Sequence, residues 1–379
     1  MAKGIKRRIV GSSAVVIMAA FLTSKWNQHR YLQECSRRQS GSVVPGTGYR
    51  GHFWPSSMGH PGDYGNSKYA GPRNFTEAFS WSWTDARGRF KTPGIGGTVI
   101  DEHKNVYLAA NSAIMKFSPD GNLVWTFVPQ VHCGIPGFGF IMNSPSLWGN
   151  ALFGAAEEGS VFAVDTATGK EIWSTQYTEP ELLAAKAEFG LFNNGFVQVS
   201  ESVVIVDGFH HVYGLAATDG AVLWKFKPDG AMWNFKADFP GDGTFVFQTF
   251  EGMAYRCSLL DGSVIWKAGG QRGTWTDGNI ALGPNRIVYA VNTKWERPDP
   301  QPTHFGFENI FQGVKGQLTA FALEDGRRLW TYDFEKPPNN APAIGRLSPG
   351  AGYSVIQPIG QQAKQGEPFF VYALDAETR

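Results

Sequence analysis

The sequence has little charge and few cysteines. Of its 379 residues, 18% are charged and three are cysteine. So little charge is atypical of a disordered chain or of a protein built from long solvated helices. Cys35, Cys133 and Cys257 allow at most one intrachain disulfide, and no C-x-x-C pair or His/Cys cluster has zinc spacing. These counts exclude a disulfide scaffold and a zinc finger.

The chain also has no large excess of either charge, but its charges are unevenly distributed. The net charge is +1. Residues 1–40 hold eight basic residues and one acidic residue, Glu34, which leaves 26 basic and 32 acidic residues in the rest. Because an acidic body repels phosphate groups, we expect no nucleic-acid partner.

A basic start followed by an apolar run marks the N-terminus. Ile9–Leu22 contains fourteen uncharged residues and follows four basic ones. This arrangement is typical of a secretory signal, whereas a spanning helix needs about 20 residues. We predict that residues 1–30 form a hydrophobic helix, either a cleaved signal peptide or a membrane anchor. The rest would then be extracytoplasmic, in a secretory lumen, at the cell surface or in the periplasm.

Glycine and aromatic residues are abundant, and they recur in a repeat. The chain has 46 glycines and 14% aromatics, which favours short strands and tight turns. In five copies a Gly precedes a Trp by four positions, and the tryptophans are 48, 51, 42 and 64 residues apart. The copies are Gly121 to Trp125, Gly169 to Trp173, Gly220 to Trp224, Gly262 to Trp266 and Gly326 to Trp330.

Each copy lies between short apolar runs, so a unit is predicted to be a four-stranded antiparallel blade. Such small sheets must stack, and a large Trp is suited to wedge between neighbours. We therefore predict an all-β propeller, with six blades and with seven or eight as alternatives. The predicted blades span about residues 93–128, 136–177, 190–227, 231–267, 274–333 and 341–379.

The two ends of the propeller suggest how it closes. The final residues Tyr372–Arg379 align with Phe162–Gly169, and no Trp follows them. Near the other end, Ala78–Thr84 contains Trp81 and Trp83 without a preceding hairpin. We predict that Ala78–Thr84 supplies the outer strand of the last blade, with Trp81 or Trp83 at the wedge position.

The repeat resembles that of pyrroloquinoline-quinone (PQQ) propellers, the quinoprotein alcohol dehydrogenase-like superfamily. The likeness is carried by Phe162–Trp173, and the segment from Trp54 to Trp81 is similar to the lead-in of secreted members. The resemblance implies either a quinone-dependent dehydrogenase or a non-catalytic scaffold. Quinoprotein alcohol dehydrogenases typically have eight blades, a vicinal disulfide and bound calcium, and this chain has no adjacent cysteines. We expect a scaffold without a cofactor, and PQQ with calcium, oxidising an alcohol or sugar, remains the alternative.

One insertion is the candidate contact site for a protein or glycan partner. Asn292–Lys315 lengthens the middle hairpin of the fifth blade, and long loops on a rigid scaffold are often functional. Its candidate contact residues are Trp295, His304, Phe305, Phe307 and Phe311. Asp238 and Asp242 are interpreted as turn residues rather than metal ligands, and His210-His211 as surface hairpin residues.

The remaining segments complete the predicted organisation. Residues 31–73 are rich in Gly, Ser and Pro and are predicted to form a stalk or a wrapping segment. Residues 74–379 form the propeller. Asn74-Phe-Thr76 is an N-glycosylation sequon, usable in a eukaryotic secretory protein if it is exposed.

Overall fold

The chain is all-β in the computed structural model. The structure describes residues 37–379 except 58, 61–66, 68, 87–96, 111–112, 130–143, 157–158, 177–194, 209, 271–273, 277, 296–312 and 361–367. Every regular element in these ranges is a strand, and none of the described residues forms a helix long and apolar enough to cross a membrane. The predicted hydrophobic helix of residues 1–30 lies outside the described residues.

The strands form six antiparallel sheets within this part of the chain. Sheet I contains β2 (Thr98–Ile100), β3 (Val106–Ala110), β4 (Ala113–Phe117) and β5 (Leu123–Phe127); sheet II contains β1 (Arg37–Gln39), β6 (Ser146–Trp148), β7 (Ala151–Ala156), β8 (Ser160–Asp165) and β9 (Glu171–Gln176); sheet III contains β10 (Gln198–Ser200), β11 (Val203–Asp207), β12 (Val212–Ala216) and β13 (Val222–Phe226). Sheet IV contains β14 (Thr244–Gln248), β15 (Met253–Ser258) and β16 (Val264–Gly269); sheet V contains β17 (Thr274–Trp275), β18 (Ala281–Leu282), β19 (Ile287–Trp295), β20 (Gly313–Ala322) and β21 (Arg328–Phe334); sheet VI contains β22 (Ala343–Gly345), β23 (Ser354–Ile359) and β24 (Phe370–Asp375). The predicted repeats and the observed sheets coincide in order.

Consecutive sheets pack face to face, which buries most residues of their inner strands on both sides. Tyr107 of sheet I lies in one core cluster with Phe162 of sheet II, and Trp173 of sheet II lies in the next with Leu215 of sheet III. Further clusters join sheet III to sheet IV, sheet IV to sheet V, and sheet V to sheet VI. Stacking thus supplies the apolar burial that a sheet of three to five strands lacks on its own.

Each repeat Trp reaches from its own sheet into the next one. Its indole N–H donates to a backbone carbonyl there; the bonds run from Trp125 to Thr166 (3.1 Å), Trp173 to Ala217 (3.0 Å), Trp224 to Leu259 (2.8 Å) and Trp266 to Leu323 (2.7 Å). Lys116 and Arg256 donate to two of the same carbonyls, at 2.8 and 3.0 Å. Each of these four contacts between neighbouring sheets, called joints here, thus satisfies an indole donor and a carbonyl acceptor.

The repeat Gly is required on the receiving side of the joint. Gly220 has a φ of +75°, and a Cβ there would lie 2.4 Å from the Trp173 ring. Gly169, Gly262 and Gly326 have the same relation to Trp125, Trp224 and Trp266. The Gly–Trp spacing in the sequence therefore encodes both halves of a contact between sheets, because each copy supplies one Gly and one Trp.

The last joint differs from the others. The indole nitrogen of Trp330 is buried and has no hydrogen-bond partner in the described part of the chain. The carbonyl of Ala376 in sheet VI instead accepts a hydrogen bond from the Tyr289 hydroxyl at 2.8 Å. Trp330 still packs in the cluster shared by sheets V and VI.

The predicted strand at Ala78–Thr84 does not form. Residues 75–78 make a turn, and β24 pairs with β23 but with no segment of residues 78–84. Trp81 packs instead on sheet I, where its N–H donates to the Pro119 carbonyl at 3.0 Å and its ring stacks on Phe117. A Cβ at Gly121 would meet the Trp81 ring, so Trp81 contacts sheet I as the other repeat tryptophans contact their following sheets.

The segment before Trp81 runs across three sheets. β1 pairs antiparallel with β9, which adds a fifth strand to the outer edge of sheet II. Val43 then donates to the Thr218 carbonyl of sheet III at 3.0 Å, and Trp54 bridges to Ile100 of sheet I. The stretch from 37 to 55 thus lies against sheets II, III and I rather than projecting as a stalk.

The fifth repeat has longer central strands than the sequence predicted. Asn292–Trp295 and Gly313–Lys315 were assigned to the inserted loop, but they belong to β19 and β20. The β19–β20 ladder runs from Ile287↔Ala322 to Trp295↔Gly313. It is longer than the ladder β11–β12 of sheet III, which runs from Val203↔Ala216 to Asp207↔Val212. The rest of the predicted loop, 296–312, lies outside the described residues.

Candidate functional site

The two ends of the sheets differ in the turns and connections that they carry. At one end lie the Gly–Trp turns and the crossing segment 37–55. The opposite end, called the hairpin end here, carries the middle hairpin of each sheet and the connections between sheets. The strand order places the last pair of the extended β19–β20 ladder, Trp295↔Gly313, at the hairpin end.

A small aromatic cluster at the hairpin end lies outside the main cores. Phe250 and Trp275 are buried, with ring centroids 6.0 Å apart, and Trp233 packs against them. Backbone bonds hold the three segments together: Phe250 N–H donates to Ala231 at 2.8 Å, and Thr276 N–H donates to Phe250 at 2.7 Å. The connections on both sides of sheet IV are thereby fixed to its middle hairpin.

Glu251 lies beside this cluster and carries an incompletely satisfied carboxyl. Its Oε2 is buried and has no hydrogen-bond partner among the described residues. Burial raises the pKa of Glu251, against the opposing effect of hydrogen bonds from its own backbone, Thr249 and Ala231. Gly230 leaves room for the Glu251 carboxyl, since a Cβ at position 230 would collide with Oε2. A carboxyl in this state is suited to accept a donor or to exchange a proton.

Further unpartnered oxygens lie in the same hairpin of sheet IV and in the adjoining strand β19 of sheet V. Asn292 Oδ1 packs against Gly252, which has a φ of +74° and no room for a Cβ. Gln248 Oε1 is also buried without a hydrogen-bond partner in the described ranges, although Gln248 donates to Gly278 at 2.7 Å. Glu251, Gln248 and Asn292, called the acceptor group here, are therefore suited to a ligand that donates hydrogen bonds or to a cation. Thr293 Oγ1 is buried as well, but it lies on the opposite face of β19, toward sheet VI.

Asp238 and Asp242 both take part in ion pairs. Asp242 does so from an exposed bend between Gly241 and Gly243, as predicted, whereas Asp238 lies in a β-bridge to Val246 rather than in a turn. Lys236 Nζ lies 3.0 Å from Asp238 Oδ1, and Asp238 Oδ2 accepts from Leu282 N–H at 2.9 Å, so the buried pair joins sheets IV and V. Arg256 Nη2 lies 2.9 Å from Asp242 Oδ2. No group of three or more His, Cys, Asp or Glu side chains is placed to hold a metal ion within the described residues.

The two adjacent histidines lie in different environments. His210 is exposed, whereas His211 Nδ1 is buried and its ring lies 6.0 Å from that of Tyr213. Burial lowers the pKa of both histidines, and Lys227 lowers it further. Both histidines lie between β11 and β12, in the turn of the middle hairpin, as predicted.

Asn74 is exposed at the surface. Its Oδ1 accepts the N–H of Thr76 at 3.0 Å in a local turn. Trp295 ends β19, but His304, Phe305, Phe307 and Phe311 lie outside the described residues. The predicted partner contacts and the sequon therefore stay predictions.

The architecture and the joints can now be set beside known proteins. The family model described as "Outer membrane protein assembly factor BamB" matches residues 110–294 and 210–357, which together make up more than half of the chain. The chain belongs to this PQQ-repeat β-propeller family. The six sheets and their Trp–Gly joints are therefore the family's repeats as they occur in this chain.

The curated relatives include outer membrane protein assembly factors and quinohemoprotein alcohol dehydrogenases. BamB of Yersinia pestis is 28% identical over 186 residues, which cover 49% of this chain and 42% of the relative. A quinohemoprotein alcohol dehydrogenase of Comamonas testosteroni is 23% identical over 320 residues, 80% of this chain and 42% of the relative. The chain thus spans less than half the length of these relatives. Among solved structures, BamB from Moraxella catarrhalis superposes with a TM-score of 0.45 at 11% identity, covering 75% of this chain and 83% of that one.

Sequence reasoning missed the acceptor group and the strand β1. Glu251 and Asn292 are 41 positions apart and share no motif, so only the packing of sheet IV against sheet V brings them near Gly252. A signal did exist for Glu251, because Glu251-Gly252 lies where a middle hairpin must turn. β1 has no apolar alternation, and its pairing depends on the exposed edge of β9.

Proposed function

We propose that this protein is a non-catalytic, extracytoplasmic binding scaffold that holds a protein partner at its hairpin end. The observation that carries the proposal is the extended β19–β20 hairpin. Its ladder continues to Trp295↔Gly313, and β17 pairs with it at Thr274↔Lys294. A hairpin braced by a third strand is a rigid support, which lowers the entropy cost of presenting a binding loop.

The composition of the loop supports a protein partner. Residues 296–312 contain His304, Phe305, Phe307 and Phe311. Aromatic side chains are enriched at the centres of protein interfaces, since they bury a large area with few rotatable bonds. The family model and several relatives are named for outer membrane protein assembly, which favours a protein over a glycan as the partner.

The cellular placement is part of the same proposal. The N-terminal run Ile9–Leu22 would direct residues 37–379 across a membrane, either as a cleaved signal or as a single-pass anchor. The names of the BamB relatives are compatible with an extracytoplasmic site. We also propose that the six sheets are six blades, with seven or eight blades in a longer form of the protein.

Loop replacement tests the scaffold proposal. In one variant, residues 296–312 are replaced by Asn-Gly, which suits a two-residue hairpin between Trp295 and Gly313. In the control variant, residues 361–367 between β23 and β24 are replaced in the same way. Crosslinking in the native source followed by mass spectrometry should identify a partner that the first variant loses and the control retains. Equal capture by both variants would reject the loop between β19 and β20 as the binding site.

A PQQ-dependent oxidoreductase is the second candidate, favoured by the dehydrogenase relative that matches 80% of the chain. Calcium in such a site takes oxygen ligands. Glu251 Oε2 and Asn292 Oδ1 are ligands of that type, but the described residues provide only part of a shell of six to eight oxygens. To test this candidate, PQQ and calcium are added to the purified protein. Quinone absorbance that persists after gel filtration, together with dye-linked oxidation of an alcohol, would favour the enzyme. Glu251→Gln should then weaken retention of the quinone.

A further inference from the structure

The outer strands of three sheets expose the same pair of aliphatic residues. The pair directly precedes the repeat Trp, and it is Leu123–Val124 in sheet I, Val222–Leu223 in sheet III and Val264–Ile265 in sheet IV. Each of these side chains is between 41% and 51% exposed. Among the described residues no strand lies beside the outer edge of these three strands, so their backbone groups are suited to pair with another strand.

Sheet II shows what covers such an edge. The residue equivalent to Val124 is Ile172, which is only 7% exposed because β1 lies beside β9. Ser40 N–H donates to the Ile172 carbonyl at 2.7 Å, and Arg38 lies 3.4 Å from Glu171. The edge register set by the repeat Trp is therefore compatible with an added antiparallel strand.

Charge distinguishes the remaining edges from one another. β13 contains Lys225, β16 contains Lys267 and β21 contains Arg328. The stretch from Gly121 to Val131, which includes β5, contains no charged residue. In an antiparallel pair of identical strands, residues are paired across a two-fold axis, so a charge near the centre meets its own copy. β5 avoids this repulsion.

We propose that β5 pairs antiparallel with β5 of a second copy of this chain. The two sheets I would join into one eight-stranded sheet across a two-fold axis, and the Leu123 and Val124 pairs would cover each other. β5 lacks the lysine that blocks edge pairing in sheets III and IV. The exposed edge of β24 is apolar as well, but it has a charge beside it, because the Lys336 ammonium lies 6.0 Å from the Phe370 ring.

The test is the mass of the full-length protein in solution, measured by light scattering in a mild detergent. The wild type should be a dimer. Val124→Lys should raise the dissociation constant about tenfold or more, because two lysines then meet apolar partners at the axis. Leu223→Lys, at the equivalent position of sheet III, and Val371→Lys, on β24, should leave it unchanged. All three sites are exposed, so each variant should melt as the wild type does.

Hydrogen exchange identifies the edge that is used. Amides of 123–127 should become more protected as protein concentration rises, whereas those of 222–226 should not. A monomeric wild type would overturn the proposal, and so would a dimer that Val124→Lys leaves intact. Loss of the dimer in Val371→Lys instead would assign the contact to β24, and protection of 123–127 that appears only with another protein present would assign the edge to a foreign strand.

Discussion

At the scale of single residues, the packing role of the repeat glycines can be tested by comparing two glycines of which only one contacts a Trp. Gly220 and Gly241 both have positive φ, +75° and +81°, but a Cβ at Gly220 meets Trp173 whereas one at Gly241 meets open space. Alanine at either position should cost about 1–2 kcal/mol of backbone strain. Gly220→Ala should cost a further ~1–3 kcal/mol from overpacking. Denaturant unfolding of both variants measures the difference, and equal losses would contradict a packing role for Gly220.

The repeat tryptophans should differ in importance according to their burial. Trp173 is fully buried, whereas Trp81 is partly exposed. Trp173→Ala should lower the free energy of unfolding by about 3–5 kcal/mol, because it leaves a large cavity and an unpaired carbonyl at Ala217. Trp81→Ala should cost clearly less. Thermal melts of the two variants compare their stabilities, and a larger effect at Trp81 would show that sheet I depends on the segment that contains Trp81.

Glu251 should make stability depend on pH. Because burial disfavours its charged form, the pKa in the folded protein lies above the ordinary 4.5. Its stabilising contribution is therefore fully present below that ordinary value and is lost as pH rises through the raised pKa. Glu251→Gln should weaken this decline, while Glu335→Gln, at an exposed position, should not. Urea titrations between about pH 4 and 8 measure how the free energy of unfolding changes with pH. Parallel pH dependences for the wild type and Glu251→Gln would contradict the prediction.

At the scale of strands, β1 should protect the edge of sheet II. Removing residues 1–41 would expose Ile172, Ser174 and Thr175, which are 7%, 1% and 4% exposed in the folded chain. Loss of the Ile172 contact alone should cost about 1.5–3 kcal/mol, and the bare edge should promote association. The control is removal of residues 1–36, which keeps β1. Turbidity and melting temperature compare the two, and identical behaviour would show that β1 adds nothing.

The strands also show which local features the sequence could predict. The runs before and after each Gly–Trp pair became strands because alternation and turn residues act locally, as in Val212–Ala216. The prediction of a strand at Ala78–Thr84 was wrong because its supposed partner strand depended on how the two ends of the chain meet. β19 and β20 continued past the predicted loop boundary because polar residues such as Asn292 and Lys294 still pair there with β20.

At the scale of the whole molecule, the order of the sheets followed from the repeat, but the site did not. A period of 42 to 64 residues between tryptophans fixes the sequence of sheets and the kind of contact between them. The acceptor group forms where the hairpin of sheet IV meets the lengthened strand of sheet V. Sheets IV and V are also joined by the buried pair Lys236–Asp238, which no periodic pattern indicates. The repeat therefore predicted the fold, whereas charge and loop composition did not predict the acceptor group.

The Trp–Gly joint also bears on how such a chain changes in evolution. Each of the four joints from sheet I to sheet V takes its indole donor from one sheet and its carbonyl acceptor and Gly from the next, as between Trp224 and Leu259. A duplicated unit of strand, turn and Trp would arrive with both halves, so it could be inserted between any two neighbours without a compensating substitution elsewhere. Deletion of a unit would likewise leave compatible surfaces in contact. The number of sheets can therefore vary among descendants by unequal recombination while each surviving boundary keeps its chemistry.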